Sequence, residues 1–136
     1  MTELTYLVRK RTDLTDTQFH TACDRYEAFL KTSAEALGIR NAEVRQRVSS
    51  LCERCFAMPR SLSEPAFDAQ ITMAWDSIDA YTEGAGSAQG IAVMDALVAE
   101  EKKFIDLGKS QAFFVDHGSA TDHASASAIG SEILSS

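Results

Sequence analysis

Three histidines and three tyrosines stand among 136 residues. Proton transfer is the first chemistry they offer, because histidine titrates nearest neutrality and tyrosine joins an apolar ring to a hydrogen-bonding tip. His117 ends an apolar run in which Phe113 and Val115 share its face, so it is a candidate acid or base at a pocket mouth. Tyr26 and Glu27 are adjacent in a helical stretch. The carboxylate becomes a base if burial raises its pKa, and the phenol can orient a substrate oxygen. Tyr6 can do the same from an early strand. Asp68 and Gln70 on the polar register of an alternating stretch, Trp75 at its end, and His20 beside Phe19 complete the candidate substrate-binding set. Each has an ordinary structural alternative: a solvated strand end for His117, an exposed helix surface for His20 and Glu27, and core packing for Trp75 and the tyrosines.

Other chemistries find less footing. Cys52 and Cys55 form a CxxC, but no second pair follows and His20, His117 and His123 are scattered, so a metal site is not expected. A redox pair usually opens a helix after a strand, whereas this one precedes a loop with Met58, Pro59 and Pro65. With Cys23 the cysteine count is odd, which argues against a disulfide framework. Gly84, Gly86 and Gly90 mimic a nucleotide loop but follow a helix, so they read as a helix-to-helix connection. Ser110 and Ser119 lack a nucleophile-elbow context.

The elements that must position these residues follow from periodicity. Leu4 to Arg9 reads as a strand. Asp13 or Thr15 then caps a helix whose Phe19, Cys23, Tyr26, Leu30, Ser33 and Leu37 share one face, and Gly38 ends it. Ala42 to Leu51 alternates as a second strand with one charged face, and a turn segment occupies Met58 to Glu64. Phe67, Ala69, Ile71, Met73 and Trp75 give the clearest period-two pattern in the chain. Asp76 or Ser77 caps a short helix closed by Gly84 and Gly86. A longer helix is expected from Ser87 to about Asp106, with Ile91, Met94, Leu97, Val98, Glu101 and Phe104 or Ile105 on its inner side, then a strand from Gln111 to His117. Residues 1–117 form the expected domain, and 118–136 a small, polar tail.

The order strand, helix, strand, strand, helix, strand is the ferredoxin-like unit, an α+β class with a four-stranded antiparallel sheet. Two helices cover one sheet face only. The first strand has no charged side between Leu4 and Val8, so the other face is expected to seek a second copy in a dimeric α+β barrel. A hydrophobic content of 45% suits one core, and a net charge of −7 disfavours nucleic acid and anionic membranes as partners. Arg40, Arg45, Arg47, Arg54 and Arg60 form a local basic cluster, interrupted by Glu43 and Glu53, that reads as a solvated face. The opening residues show neither a secretory signal nor a membrane span, so a cytoplasmic location is expected.

The segments TYLVRKRTDLTDTQFH, FDAQITMAWDSIDAYTEG and EEKKFIDLGKSQAFFVDH, in this order over about residues 3 to 117, resemble EthD-domain proteins of the dimeric α+β barrel superfamily. The counterparts of the family's strand exit and helix end are Trp75, Asp76, Ser77 and Glu101, Phe104, Ile105, Asp106. The resemblance implies a homodimer that handles a small aromatic or polyketide-like molecule without a cofactor, as a decarboxylase or cyclase. A cofactor-free oxygenase of phenols and a non-catalytic binding or accessory subunit are the alternatives it carries. The pocket it implies lies between sheet and helices. Many members place a His-x-Pro element in the first helical region; here Glu27 or Leu30 stands there, depending on the anchor, and neither histidine nor proline is present.

Overall fold

Strand β1 (Thr2–Val8) runs through the middle of the sheet, antiparallel to β3 (Ala69–Trp75) on one side and β4 (Gln111–Asp116) on the other. Strand β2 (Asn41–Gln46) pairs antiparallel with the far side of β3, giving the order β2-β3-β1-β4. The computed structural model describes residues 1–116; His117 and the expected tail at 118–136 lie outside the described residues. The connections carry α1 (Asp16–Leu37), α2 (Leu51–Ala57), α3 (Ile78–Gly86) and α4 (Ala88–Glu101), with 3-10 turns at Met58–Arg60 and Leu107–Lys109. This is the ferredoxin-like α+β fold that the element order announces.

The register sorts the side chains. Leu4 pairs with Met73, Tyr6 with Ile71 and Val8 with Ala69, and on β2 Ala42 and Val44 fall opposite Met73 and Ile71, so these share the face that the helices cover. Helix α1 supplies the matching stripe of Phe19, Ala22, Cys23, Tyr26, Leu30 and Leu37. Its start is fixed by a capping box, in which the Thr15 hydroxyl accepts from the Gln18 amide and the Gln18 side chain accepts from the Thr15 amide. Its end is fixed by Gly38, whose φ of 74° is left-handed and whose N–H reaches back to the carbonyls of Ala34 and Glu35. Trp75 is buried at the end of β3, and its indole N–H donates to the Leu37 carbonyl at 2.9 Å, joining sheet to helix end.

Three expectations need correction. The second strand stops at Gln46 rather than Leu51, because β3 begins at Ala69 directly opposite Gln46 and later residues have no strand to pair with. The chain instead enters α2, capped by Ser50 and clamped to the strand end by the Arg47–Glu53 ion pair at 2.7 Å. Helix α4 ends at Glu101 rather than Asp106. The sheet face that no described helix covers is also less uniformly apolar than expected: Leu7, Phe113 and Val115 lie there with Thr5 and Thr72, but Glu3, Glu43 and Arg45 share the register.

Gly84 and Gly90 are explained by packing. A Cβ on Gly84 would run into the Leu37 carbonyl, and one on Gly90 into the Gly84 carbonyl, so backbone meets backbone where α3 and α4 close on the end of α1. Gly84→Ala is expected to lower the unfolding free energy by about 1–3 kcal/mol, read as a lower urea midpoint at unchanged slope. Gly86→Ala, whose Cβ would meet nothing within 4 Å, is expected to leave the midpoint unchanged or raise it.

Candidate functional site

Glu101 occupies the last turn of α4, one turn beyond the buried Leu97. The chain then folds back sharply: the amides of Phe104 and Ile105 donate to the Glu101 carbonyl at 3.1 and 2.8 Å. Ile105 bridges Lys10, the Arg11 amide donates to the Phe104 carbonyl, and the Asp106 amide to that of Arg9. These bonds seat the helix end against the continuation of β1. The Glu101 side chain is consequently fixed in the layer between sheet and α1, with only 7% of the residue exposed.

Its two carboxylate oxygens have separate partners. The Tyr6 hydroxyl donates to Oε1 at 2.8 Å and the Tyr26 hydroxyl to Oε2 at 2.6 Å. One carboxylate thereby joins β1, α1 and α4. The surroundings are aromatic: the Phe104 ring lies 5.5 Å from that of Tyr26 and 5.9 Å from that of Phe19. Burial raises the Glu101 pKa, and the two phenol hydrogen bonds pull it back only in part. The position at the carboxyl end of a helix acts against the anion as well. Both tyrosines are shifted upward, first by burial, then by the charge of Glu101 and the hydrogen bonds they donate to it. The phenols therefore keep their protons, and the carboxyl group is the member of the cluster that exchanges one. Tyr6 is only half-buried whereas Tyr26 is buried, so the Tyr6 side of the cluster is the less enclosed one.

Of the residues singled out by sequence, Tyr6 and Tyr26 meet here. Glu27 is half-buried nearby on α1, but its carboxylate accepts from the Val44 amide at 3.1 Å and lies 3.6 Å from the Lys31 ammonium. Asp68 accepts from the Lys10 amide at 2.8 Å and so closes the end of β1. Gln70 sits half-buried on the uncovered sheet face, opposite Leu7 and Arg45. His20 is exposed, its ring 6.3 Å from Phe19, and Trp75 lies in the core with Tyr81 edge-on at 4.9 Å. His117 lies outside the described residues. Sequence reasoning placed Glu101 on the inner side of a helix but did not nominate it. The available signal was a carboxylate at a position whose helical neighbours are apolar.

The arginine cluster is largely accounted for by pairing: Arg40 with Asp76, Arg45 with Glu43, Arg47 with Glu53, and Arg60 over the Phe56 ring at 3.9 Å. Among the described residues, no three His, Cys, Asp or Glu side chains gather in a metal-ligand set, and no helix is long and apolar enough to cross a membrane. A concavity of about 990 Å³ opens along the excursion between β2 and β3, where Arg47, Ser50, Phe56, Met58, Leu62 and Pro65 contribute to its lining. It shares no residue with the Glu101 cluster.

Comparison with solved structures gives the class of fold. An EthD family protein (ethyl tert-butyl ether D) from Bacillus halodurans is 19% identical, with a TM-score of 0.57 over 86% of this chain and 98% of that one. A dimeric protein of unknown function and ferredoxin-like fold from Bacteroides fragilis is 9% identical, with a TM-score of 0.56 over 85% and 95%. A dimeric ferredoxin-like protein of unknown function from Thermobifida fusca is 11% identical, with a TM-score of 0.55 over 85% and 90%. At these identities the likeness is one of fold. No family model matches the sequence, and neither does any curated protein.

The geometry sets an order of stabilities. Tyr26→Phe leaves a buried carboxylate oxygen without its donor and is expected to cost about 2 kcal/mol at pH 7 in urea unfolding, with Tyr6→Phe costing less because water can replace its hydroxyl. The pH dependence has a definite sign. Between the unfolded carboxyl pKa and the higher folded one, the folded protein holds the additional proton. That contribution to stability is complete below the unfolded value and is lost as pH rises through the folded value. The stability of the wild type relative to Glu101→Gln is thus expected to fall as pH rises through this window, and a flat difference would contradict the assignment.

Proposed function

We propose that the chain is a cofactor-independent enzyme of the EthD type that acts on a small aromatic or polyketide-like molecule, as a decarboxylase or cyclase, and works as a homodimer. The observation that carries this reading is the buried Glu101 carboxylate held by two phenols among aromatic rings, where burial pushes the carboxyl pKa above its ordinary value. Further support comes from the fold shared with an EthD family protein.

A substrate enters beside the half-buried Tyr6. In a decarboxylation, the Glu101 carboxyl delivers its proton to the ring carbon that bears the substrate carboxylate. The carbon–carbon bond breaks, carbon dioxide leaves, and water reprotonates Glu101. In a cyclisation, the Glu101 carboxylate takes a proton from a methylene flanked by carbonyls; the resulting carbanion attacks a second carbonyl carbon, and the same proton returns to the new alkoxide. Tyr6 and Tyr26 act as positioning residues that hold the carboxylate in one orientation and tune its proton affinity. A non-catalytic binding role is the second reading, favoured by the fact that the three groups already satisfy one another.

The dimer is proposed through the sheet face that no described helix covers, where Leu7, Phe113 and Val115 lie on the same register as Thr5 and Phe113 is 48% exposed. Light scattering is expected to give about twice the 14.8 kDa chain mass, falling towards one chain in Phe113→Glu.

Hydroxybenzoic acids and linear aromatic polyketide thioesters, incubated with the protein without added cofactor and followed by chromatography, test the two readings. Turnover that drops by about 100-fold or more in a folded Glu101→Gln variant is the expected result. Turnover unchanged by that substitution would remove Glu101 from the chemistry. Saturable binding of these compounds without turnover would favour the second reading.

A further inference from the structure

Helix α2 lies along the open groove formed by the connection that leads from β2 to β3, and its seven residues divide cleanly. Leu51, Glu53, Arg54, Phe56 and Ala57 line the groove, whereas Cys52 and Cys55 do not. Both cysteines are exposed and free. They stand one helical turn apart, which brings their Cα atoms to about 5 Å, inside the roughly 4.4–6.8 Å span of disulfides. Side-chain Cβ atoms three residues apart in a helix lie about 5–6 Å from each other, so closure needs an approach of about 1–2 Å. The adjustment lies within α2, which packs mainly against the 3-10 turn that follows it and is tied to the strand end by the Arg47–Glu53 ion pair. The third cysteine, Cys23, is buried in the core, and its thiol is pushed up to about 12, chiefly by that burial. The chain therefore carries one accessible dithiol and one sequestered thiol.

We propose that Cys52 and Cys55 form a solvent-facing redox pair that closes to an intrahelical disulfide by exchange with a small-molecule disulfide such as oxidised glutathione. One cysteine thiolate attacks a sulfur of the small disulfide, forming a mixed disulfide and releasing one glutathione thiolate. The second cysteine thiolate then attacks the sulfur of the first. The bond between Cys52 and Cys55 forms, the bond to glutathione breaks, and a second glutathione thiolate leaves. Two electrons pass from the cysteines to the small disulfide, and the two protons given up by the cysteine thiols are carried by the two glutathione molecules. The closed pair fixes the first turn of α2 at the rim of the groove.

The test equilibrates the full chain at low concentration in anaerobic mixtures of oxidised and reduced glutathione, labels it under native conditions with N-ethylmaleimide, and weighs it intact. As the mixture becomes more oxidising, a species with two maleimides should give way to one with none that is two hydrogens lighter than the reduced chain. Tryptic cleavage after Arg54 should leave two peptides joined through Cys52 and Cys55. Cys52→Ser and Cys55→Ser, both at exposed positions, should each hold one stable glutathione adduct. Stable adducts at both cysteines of the wild type, disulfide-linked pairs of chains, or an unchanged reduced protein across all mixtures would each overturn the proposal.

Discussion

A carboxylate taken out of water must find its hydrogen-bond donors inside the protein, and Glu101 finds them on two different elements. Tyr6 reaches it from the central strand and Tyr26 from the long helix, at 2.8 and 2.6 Å. A charged group with both oxygens satisfied is tolerated in such a layer; one with an oxygen left bare is strongly destabilising. The contact therefore works as a positional constraint. It requires α4 to end where it does, with the following residues folded back onto the continuation of β1, and it requires α1 to present Tyr26 in register with that end.

This constraint gives the site its chemical character. The neighbouring rings of Phe19, Phe104 and Tyr26 keep the layer apolar, which raises the proton affinity of the carboxyl group, while the phenols hold it below what burial alone would impose. The same face of β1 that carries Tyr6 carries Leu4 and Val8, so sheet packing and site geometry rest on one register. A slip of one residue would turn Tyr6 to the uncovered face and leave Glu101 with half its donors.

Much of the fold was legible because periodicity reports burial. The strand ending at Trp75, the three- and four-residue steps from Phe19 to Leu37, and the caps at Thr15, Gly38 and Ser77 all appear in the structure, although β3 is buried on both registers from Ile71 to Trp75. The excursion after Gln46 was not legible, because alternation continues in the sequence to Val48 and Ser49 whereas strand length is decided by a partner that starts only at Ala69. The site was legible in part. Tyr6 and Tyr26 were identifiable as apolar rings with polar tips on inward faces. The partner that unites them lies 95 and 75 residues further along the chain, and no local pattern announces such a meeting. Asp68 and Glu27 drew notice as carboxylates, but the backbone amides of Lys10 and Val44 that occupy them are supplied by tertiary structure.

The most direct measurement is the pH titration of the Glu101 side-chain carboxyl carbon by NMR, in protein labelled at glutamate Cδ and assigned with Glu101→Gln. This resonance is expected to titrate at higher pH than the surface glutamates, and higher still in Tyr26→Phe, where a hydrogen bond that favours the anion is gone. A Glu101 signal that titrates together with the surface glutamates and ignores the loss of the Tyr26 hydroxyl would contradict that expectation.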